Sequence, residues 1–461
     1  MFKKLIGDKA FYKRLIVLML PIMVQNGITN FVNMLDNIMI GAVGTAEMTG
    51  VAVTNQLLFV FNLCIFGAVS GAGIFGAQFF GSNDYKGVRY TLRFKLIFGA
   101  VLCVLGILLF VFCGEALINM YMQGDEGVTD PTATLGFAKN YLFIMLIGLL
   151  PYTIVQCYSS TLREGGHPNL PMYAGVAAVV VNLLFNYILI FGKFGAPELG
   201  VAGAAIATVI SRFAELLIVM VATHFNTKKY VFIKGLYKSL YVPKALVVRL
   251  FLKGLPLMLN ETMWASGVAV VNQCYSVRGL DAVAAGNISQ TFWNVFSIAY
   301  MAVGAAIGII IGQMLGANEL KEAKDSAFKM IAFSFFVAFL FGIVYIISAE
   351  FIPLAYNTET EIRHLATRLM QITAIAMPFE ALTHATYFTL RSGGKMFVTF
   401  VFDCGFMWGV NVLLAFLLSR FTALPFIFIF AIIQFVAVLK GFFGIILVKN
   451  GFWIKNIISQ E

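Results

Sequence analysis

Twelve runs of apolar residues, each long enough to cross a lipid bilayer, divide this chain, and a backbone in hydrocarbon has only two solutions, a helix or a closed barrel. The runs fall at about 15–40, 51–79, 96–113, 136–160, 170–191, 201–224, 255–277, 284–315, 327–348, 366–390, 396–418 and 424–448. All exceed the roughly 10 residues of a barrel strand. The predicted fold is therefore an all-α integral membrane protein of twelve transmembrane helices. Charged residues make up 12% of the chain, about half the fraction of a soluble domain. The residues before the first run are basic, but that run is too long for a signal peptide and no small-residue cleavage site follows, so it is expected to remain as the first span.

A cassette in the first six runs returns in the last six. Arg14, Pro21, Asn37, Gly44, Gly73, Gln78, Gly81, Asn83 and Lys86 reappear at a constant offset as Arg249, Pro256, Asn272, Gly279, Gly308, Gln313, Gly316, Asn318 and Lys321. A second echo, at a slightly shorter offset, pairs Thr161-Leu162-Arg163 and Gly165-Gly166 with Thr389-Leu390-Arg391 and Gly393-Gly394. Two homologous six-helix lobes follow, 1–224 and 255–461, joined by a linker at 225–254 that carries seven Lys/Arg and no acid. An even number of spans per lobe gives both lobes the same orientation, related by an axis along the membrane normal, with a V-shaped central cleft expected between them. Duplicated lobes around a site at mid-depth are a usual build for secondary transporters.

Charge sorts the connections. One set is rich in Lys and Arg, from Lys9 and Arg14 through Lys86, Arg89, Arg93 and Lys95, Arg163, the linker, Lys321 and Lys324, Arg391 and Lys395, to Lys449 and Lys455; the other holds Glu115, Asp125, Glu126 and Asp130, then Glu198, then Glu350, Glu359 and Glu361. The positive-inside rule places the basic set and both termini in the cytoplasm. The net charge of +10 is thus absorbed by orientation, and nucleic acid is not an expected partner. Six cysteines lie scattered in apolar runs without a CxxC pair, which signals neither a disulfide framework nor a zinc site.

Charged side chains deep in a span are costly, so the few present are informative. They are Asp36, Arg212 with Glu215, Glu261, Glu380 and Asp403. Arg212 and Glu215 are spaced i,i+3 and can neutralise each other; Arg212 is the one deep basic candidate. Asp36, Glu261 and Glu380 have no cation near in sequence and sit among amides, hydroxyls and rings: Gln25, Asn33 and Asn37 around the first; Asn260, Thr262 and Trp264 around the second; Thr373, His384 and Tyr387 around the third. Such carboxylates can gain and lose a proton or coordinate a small cation, and Glu261 with Glu380 forms the candidate Na+ site. Asp403 reads more readily as a hydrogen-bonded structural acid. His384, four residues after Glu380, shares its helix face and could relay a proton. The turns at Arg163 and Arg391 read as structural or gating elements. Gln25, Asn33, Asn37, Asn182, Asn186, Trp264, His384 and Tyr387 are the candidate lining of a cavity for an amphipathic small molecule.

At these residues the chain resembles the multidrug and toxic compound extrusion (MATE) family, bacterial type. The carrying segments are Leu35-Asp36-Asn37-Ile38-Met39-Ile40-Gly41, the Gly-x-Gly-x₄-Gln-x-x-Gly ends of spans 2 and 8 (Gly71 or Gly73 to Gly81, Gly308 to Gly316), Asn182-Leu183-Leu184-Phe185-Asn186-Tyr187, Gly203-Ala204-Ala205-Ile206-Ala207-Thr208 and Leu390-Arg391-Ser392-Gly393-Gly394. The resemblance implies a multi-pass protein of the bacterial plasma membrane, among lipids, and because the expected cleft lies within one chain a monomer is expected. It implies export of amphipathic or cationic compounds in exchange for H+ or Na+, without a cofactor. Asp36 then corresponds to a proton site. Glu380 corresponds to the span-10 acid of the sodium-coupled branch, and Glu261 to its span-7 glutamate one turn nearer the start of the span. Asn186 stands where the archaeal type has aspartate.

Two alternatives compete with this reading. A lipid-linked oligosaccharide or peptidoglycan-precursor flippase of the same superfamily needs several basic residues in its cavity to hold a diphosphate. An integral membrane transferase needs clustered His/Asp or acidic metal sites at a membrane face. Neither pattern is visible, and the expectation is a transporter rather than an enzyme.

Overall fold

A computed structural model describes residues 5–122, 131–356 and 358–459, and all its regular elements are helical. In chain order these are α1 (Lys9–Gly41), α2 (Thr45–Gly81), α3 (Tyr85–Met122), α4 (Pro131–Ile147), α5 (Leu149–Glu164), α6 (Asn169–Ile190), α7 (Gly200–Phe225), α8 (Lys244–Ser276), α9 (Leu280–Phe296), α10 (Ile298–Gly316), α11 (Leu320–Ala349), α12 (Thr360–Ser392), α13 (Met396–Phe400), α14 (Leu413–Phe421) and α15 (Phe426–Asn450). The acidic residues Asp125, Glu126 and Asp130, and the side chains of Asn33 and Asn37, lie outside the described residues.

The predicted runs map onto these helices with two regular differences. Most helices overrun their apolar runs: α1 begins at Lys9, where the Asp8 carboxylate accepts the Phe11 amide at 2.8 Å as an N-cap, and α8 begins at Lys244, inside the basic connection. Hydropathy senses the thickness of the lipid, whereas backbone hydrogen bonding continues as long as side chains permit. Single runs are also broken. α4 and α5 meet at Gly148 with a bend of 49°, and α9 and α10 meet at Ser297. Among the described residues nine helical segments are long and apolar enough to span, ten with the bent α4–α5 pair. The long helices α8 and α12 fall outside that set; they carry Glu261 and Glu380.

The chain divides into two compact units. One comprises Val24–Gly76 and Tyr85–Met258. Within it α6 packs on α7, and α3 on α5. The other comprises Met1–Met23, Ala77–Asp84 and Leu259–Glu461. Here α12 is central, packed against α9, α10, α11 and α15, and its buried face of Leu369, Met370, Ala374, Met377 and Ala381 meets Tyr300 and Tyr345.

The duplicated residues serve the same local purpose in each copy. Asn83 and Asn318 both occupy left-handed backbone, at φ 59° and 64°. There they close α2 and α10, with the next amide (Asp84, Glu319) bonded to the carbonyl five residues back at 2.9 Å. Asparagine tolerates that region better than any residue but glycine. The second echo works alike, since Gly166 and Gly394 follow α5 and α12 at φ 77° and 73°. Replacing Asn318 with Val is expected to cost about 1–2 kcal/mol, and Asn318→Gly to be near neutral, as read by thermal unfolding in detergent.

Candidate ion-coupling sites

In the unit that contains α6 and α7, Asp36 of α1 accepts a hydrogen bond from Asn186 Nδ2 at 2.6 Å. Asn186 donates also to Asn182 Oδ1 at 3.1 Å, and Asn182 to Thr208 Oγ1 at 3.3 Å. Asn182 and Asn186 are one helical turn apart on α6, which sets both amides on the same face. Of the residues expected to line a cavity, Asn186 is thus the hydrogen-bond partner of the acid and Asn182 the partner of Asn186. Asn186 Oδ1 is buried without a hydrogen-bond partner among the described residues. Gln25, another expected lining residue, accepts a bond from Arg163 Nη2 at 2.8 Å, which fastens α1 to the end of α5.

Arg212 does not pair with Glu215 as the i,i+3 spacing predicts. Its guanidinium lies over the Tyr152 ring, 5.1 Å from the centroid, and its Nη1 is buried without a hydrogen-bond partner among the described residues. That ring belongs to the neighbouring helix α5 and takes the face of the cation, while the charge of Arg212 still acts on the Glu215 carboxylate.

In the other unit, Glu380 of α12 accepts two bonds on one oxygen, from Trp293 Nε1 of α9 at 2.9 Å and from the Tyr300 hydroxyl of α10 at 3.1 Å. The break at Ser297 lies between those donors, so two short helices aim one donor each at the carboxylate. Two turns further along α12, roughly 10 Å by helix rise, Tyr387 donates to Glu261 Oε1 at 3.1 Å. Glu261 is not without a cation: Arg391 Nη1 stands 3.9 Å away, brought there by the same face of α12. Asn260, completely buried, donates to the Tyr387 hydroxyl at 3.2 Å and to Asp403 at 2.9 Å. Asp403 is ion-paired with Lys440 of α15 at 2.7 Å. It sits in a stretch of π-helix from Val401 to Val412, a wide-turn geometry frequent at functional sites.

No hydrogen bond or ion pair joins Glu261 to Glu380 among the described residues, and no group of three or more His, Cys, Asp or Glu side chains comes together there as a metal centre. His384 packs its ring against Phe388 at 4.9 Å and Tyr300 at 5.9 Å. Trp264 is half-buried on α8.

Sequence reasoning missed Trp293 and Tyr300, which only the fold brings to Glu380, and it missed Lys440. The last is the one Lys or Arg in the apolar run 424–448, and the rule that singled out the acids, that charge deep in a span is costly, should have found it. Arg212 is accordingly not the one deep cation. Lys95, read as part of a basic connection, is 1% exposed and bonded to both oxygens of Glu164, at 2.6 and 2.8 Å.

These features define a helical membrane protein with carboxylate networks built into both of its compact units. A profile described as MatE matches residues 21–188 and 256–417, one stretch in each repeat. The chain belongs to the MatE family. It is 26% identical over 89% of its length to the probable multidrug resistance protein NorM of Thermotoga maritima, of which 86% is covered, and 25% identical over 90% to the probable multidrug resistance protein YoeA of Bacillus subtilis, of which 88% is covered. Among solved structures, a mutant of the Vibrio cholerae MATE transporter VcmN superposes with TM-score 0.86 at 18% identity, covering 98% of this chain and 99% of that one. The outward-facing form of a multidrug resistance MATE family transporter gives 0.84 at 17% identity, covering 97% and 98%. The expected fold is thereby established, and the chain is a multi-pass membrane transporter rather than an enzyme.

Proposed function

We propose that the protein is a secondary antiporter that exports amphipathic or cationic compounds in exchange for H+ or Na+. The carrying observation is that Asp36 and Glu380 each lie within a long helix and, among the described residues, accept their hydrogen bonds from neutral donors, Asn186 for one and Trp293 with Tyr300 for the other. A carboxylate so placed is costly when charged and empty, and binding a proton or a small cation offsets that cost. Glu261 is held differently, with Arg391 beside it, and the ion it exchanges is in competition with that guanidinium. Antiport requires that ion and substrate each weaken binding of the other. The family relatives named for multidrug resistance support the substrate class. The lobe boundaries 1–224 and 255–461 follow from the repeat, and the cytoplasmic placement of both termini from the charge sorting.

The test is ethidium efflux from vesicles reconstituted with the full chain, under an imposed proton gradient or an imposed sodium gradient. Wild type is compared with Asp36→Asn, Glu261→Gln and Glu380→Gln. Efflux driven by one gradient and lost in Asp36→Asn and Glu380→Gln is the expected result and identifies the ion. Folded protein that moves no cationic dye under either gradient would sink the proposal.

A further inference from the structure

Two cavities lie one above the other along α3 and the basic connection that packs on it. The first, of about 400 Å³, is lined by Lys86, Arg89, Tyr90 and Arg93 of α3 and by Lys234 and Lys238 of the connection, with no acidic side chain in its wall. The second, of about 530 Å³, is lined by Phe94, Phe98 and Val101 from the next turns of α3, by Leu240 from the connection, and by Phe251 and Leu252 of α8. Both walls change from basic to apolar at the same level.

Arg93 builds the junction. It is 7% exposed and donates to three backbone carbonyls of the connection, from Nε to Leu236 at 2.8 Å, from Nη2 to Gly235 at 2.8 Å and from Nη1 to Tyr241 at 3.1 Å. Those acceptors are neutral, and Arg93 is in none of the ion pairs found among the described residues. Its charge therefore adds to that of the exposed Lys86, Lys234 and Lys238.

We propose that this basic cup and the groove that continues it bind one anionic glycerophospholipid, the headgroup phosphate held in the cup and an acyl chain laid in the groove. The positive-inside rule alone asks for cations on a connection. It does not ask for a concave cup with a hydrogen-bonded wall, nor for an apolar groove in register with it. A free anion has no use for the groove, and a zwitterionic lipid none for the excess charge. Basic pockets beside spanning helices are a recurrent way to hold anionic headgroups.

The test uses the purified full chain in detergent, titrated with dioleoylphosphatidylglycerol, dioleoylphosphatidylcholine or glycerol 3-phosphate. Bound lipid is counted by native mass spectrometry and thermal stabilisation is followed in parallel. Expected is one saturable equivalent of phosphatidylglycerol that raises the unfolding temperature, with neither phosphatidylcholine nor glycerol 3-phosphate doing so. Arg89→Gln/Lys234→Gln/Lys238→Gln should weaken that binding roughly 100-fold. Val101→Ser/Leu252→Ser, which changes two exposed groove residues, should weaken it with the cup intact. Equal binding of phosphatidylcholine, equal stabilisation by glycerol 3-phosphate, or unchanged phosphatidylglycerol binding in the triple variant would each overturn the proposal.

Discussion

Lys95→Ala is expected to lower the free energy of unfolding by about 3–5 kcal/mol, the loss typical of leaving one member of a buried ion pair alone. The ammonium is completely enclosed; besides both Glu164 oxygens it reaches Ser160 Oγ at 3.2 Å and Thr161 Oγ1 at 3.1 Å. The Glu164 carboxylate also lies against α2, where a Cβ at Gly73 would stand 2.6 Å from Oε1 and one at Gly76 would overlap Oε2. Removal of the cation leaves a carboxylate that can neither be solvated nor withdraw. Position 95 corresponds in the repeat to Met330, and Glu164 to Ser392, both buried. The second copy thus fills the equivalent places without charge. Lys95→Met/Glu164→Ser should accordingly recover most of the stability lost by Lys95→Ala, because a neutral, well-filled replacement for a buried pair is often near neutral. Equilibrium unfolding in mixed micelles measures both; a double variant as unstable as the single one would show that the charges themselves are required.

Gly316→Val should be the most damaging single substitution at a helix end, with no folded protein recovered or a loss well beyond the about 1–3 kcal/mol of ordinary overpacking. A Cβ at Gly316 would overlap the carbonyl oxygen of Gln78, and one at Gly81 would overlap the carbonyl oxygen of Gln313. Backbone meets backbone at both points, so no side chain can turn aside. The neighbourhood is tied down as well. Gln78 Nε2 donates to the carbonyls of Ser392 and Lys455, its Oε1 accepts the Ile457 amide at 2.8 Å, and Gln313 Oε1 accepts from Arg14 at 2.9 Å. Gly136 of α4 is the control of opposite sign. Its Cβ would meet nothing within 4 Å, so Gly136→Ala should stabilise slightly, by about 0.5–1 kcal/mol. Yield and thermal stability of the two variants side by side decide the matter.

What the sequence made legible was whatever a helix computes locally. Apolar length marked the spans, and the repeat marked Asn83, Asn318, Gly166 and Gly394, whose backbone is fixed by their own turns. The deep acids Asp36, Glu261 and Glu380 were legible because charge in lipid is rare. Their partners were not. Trp293 lies 87 positions from Glu380, Lys440 lies 37 from Asp403, and Asn186 lies 150 from Asp36. No periodicity connects residues on separate helices. The same limit explains the Tyr152 ring over Arg212, which lies on another helix, and the Lys95 ion pair, hidden because its two charges stood in different connections.

The contact between the ends of α2 and α10 is reciprocal: the glycine of each copy lies on the glutamine carbonyl of the other. In a symmetric homodimer this is the isologous pattern, in which one patch serves both partners. Each copy thus carries a self-complementary patch, and the covalent link between the copies makes their encounter intramolecular. The copies differ where that contact makes no demand, as at Lys95 and Met330, while Gly81 and Gly316 make the same backbone contact in both.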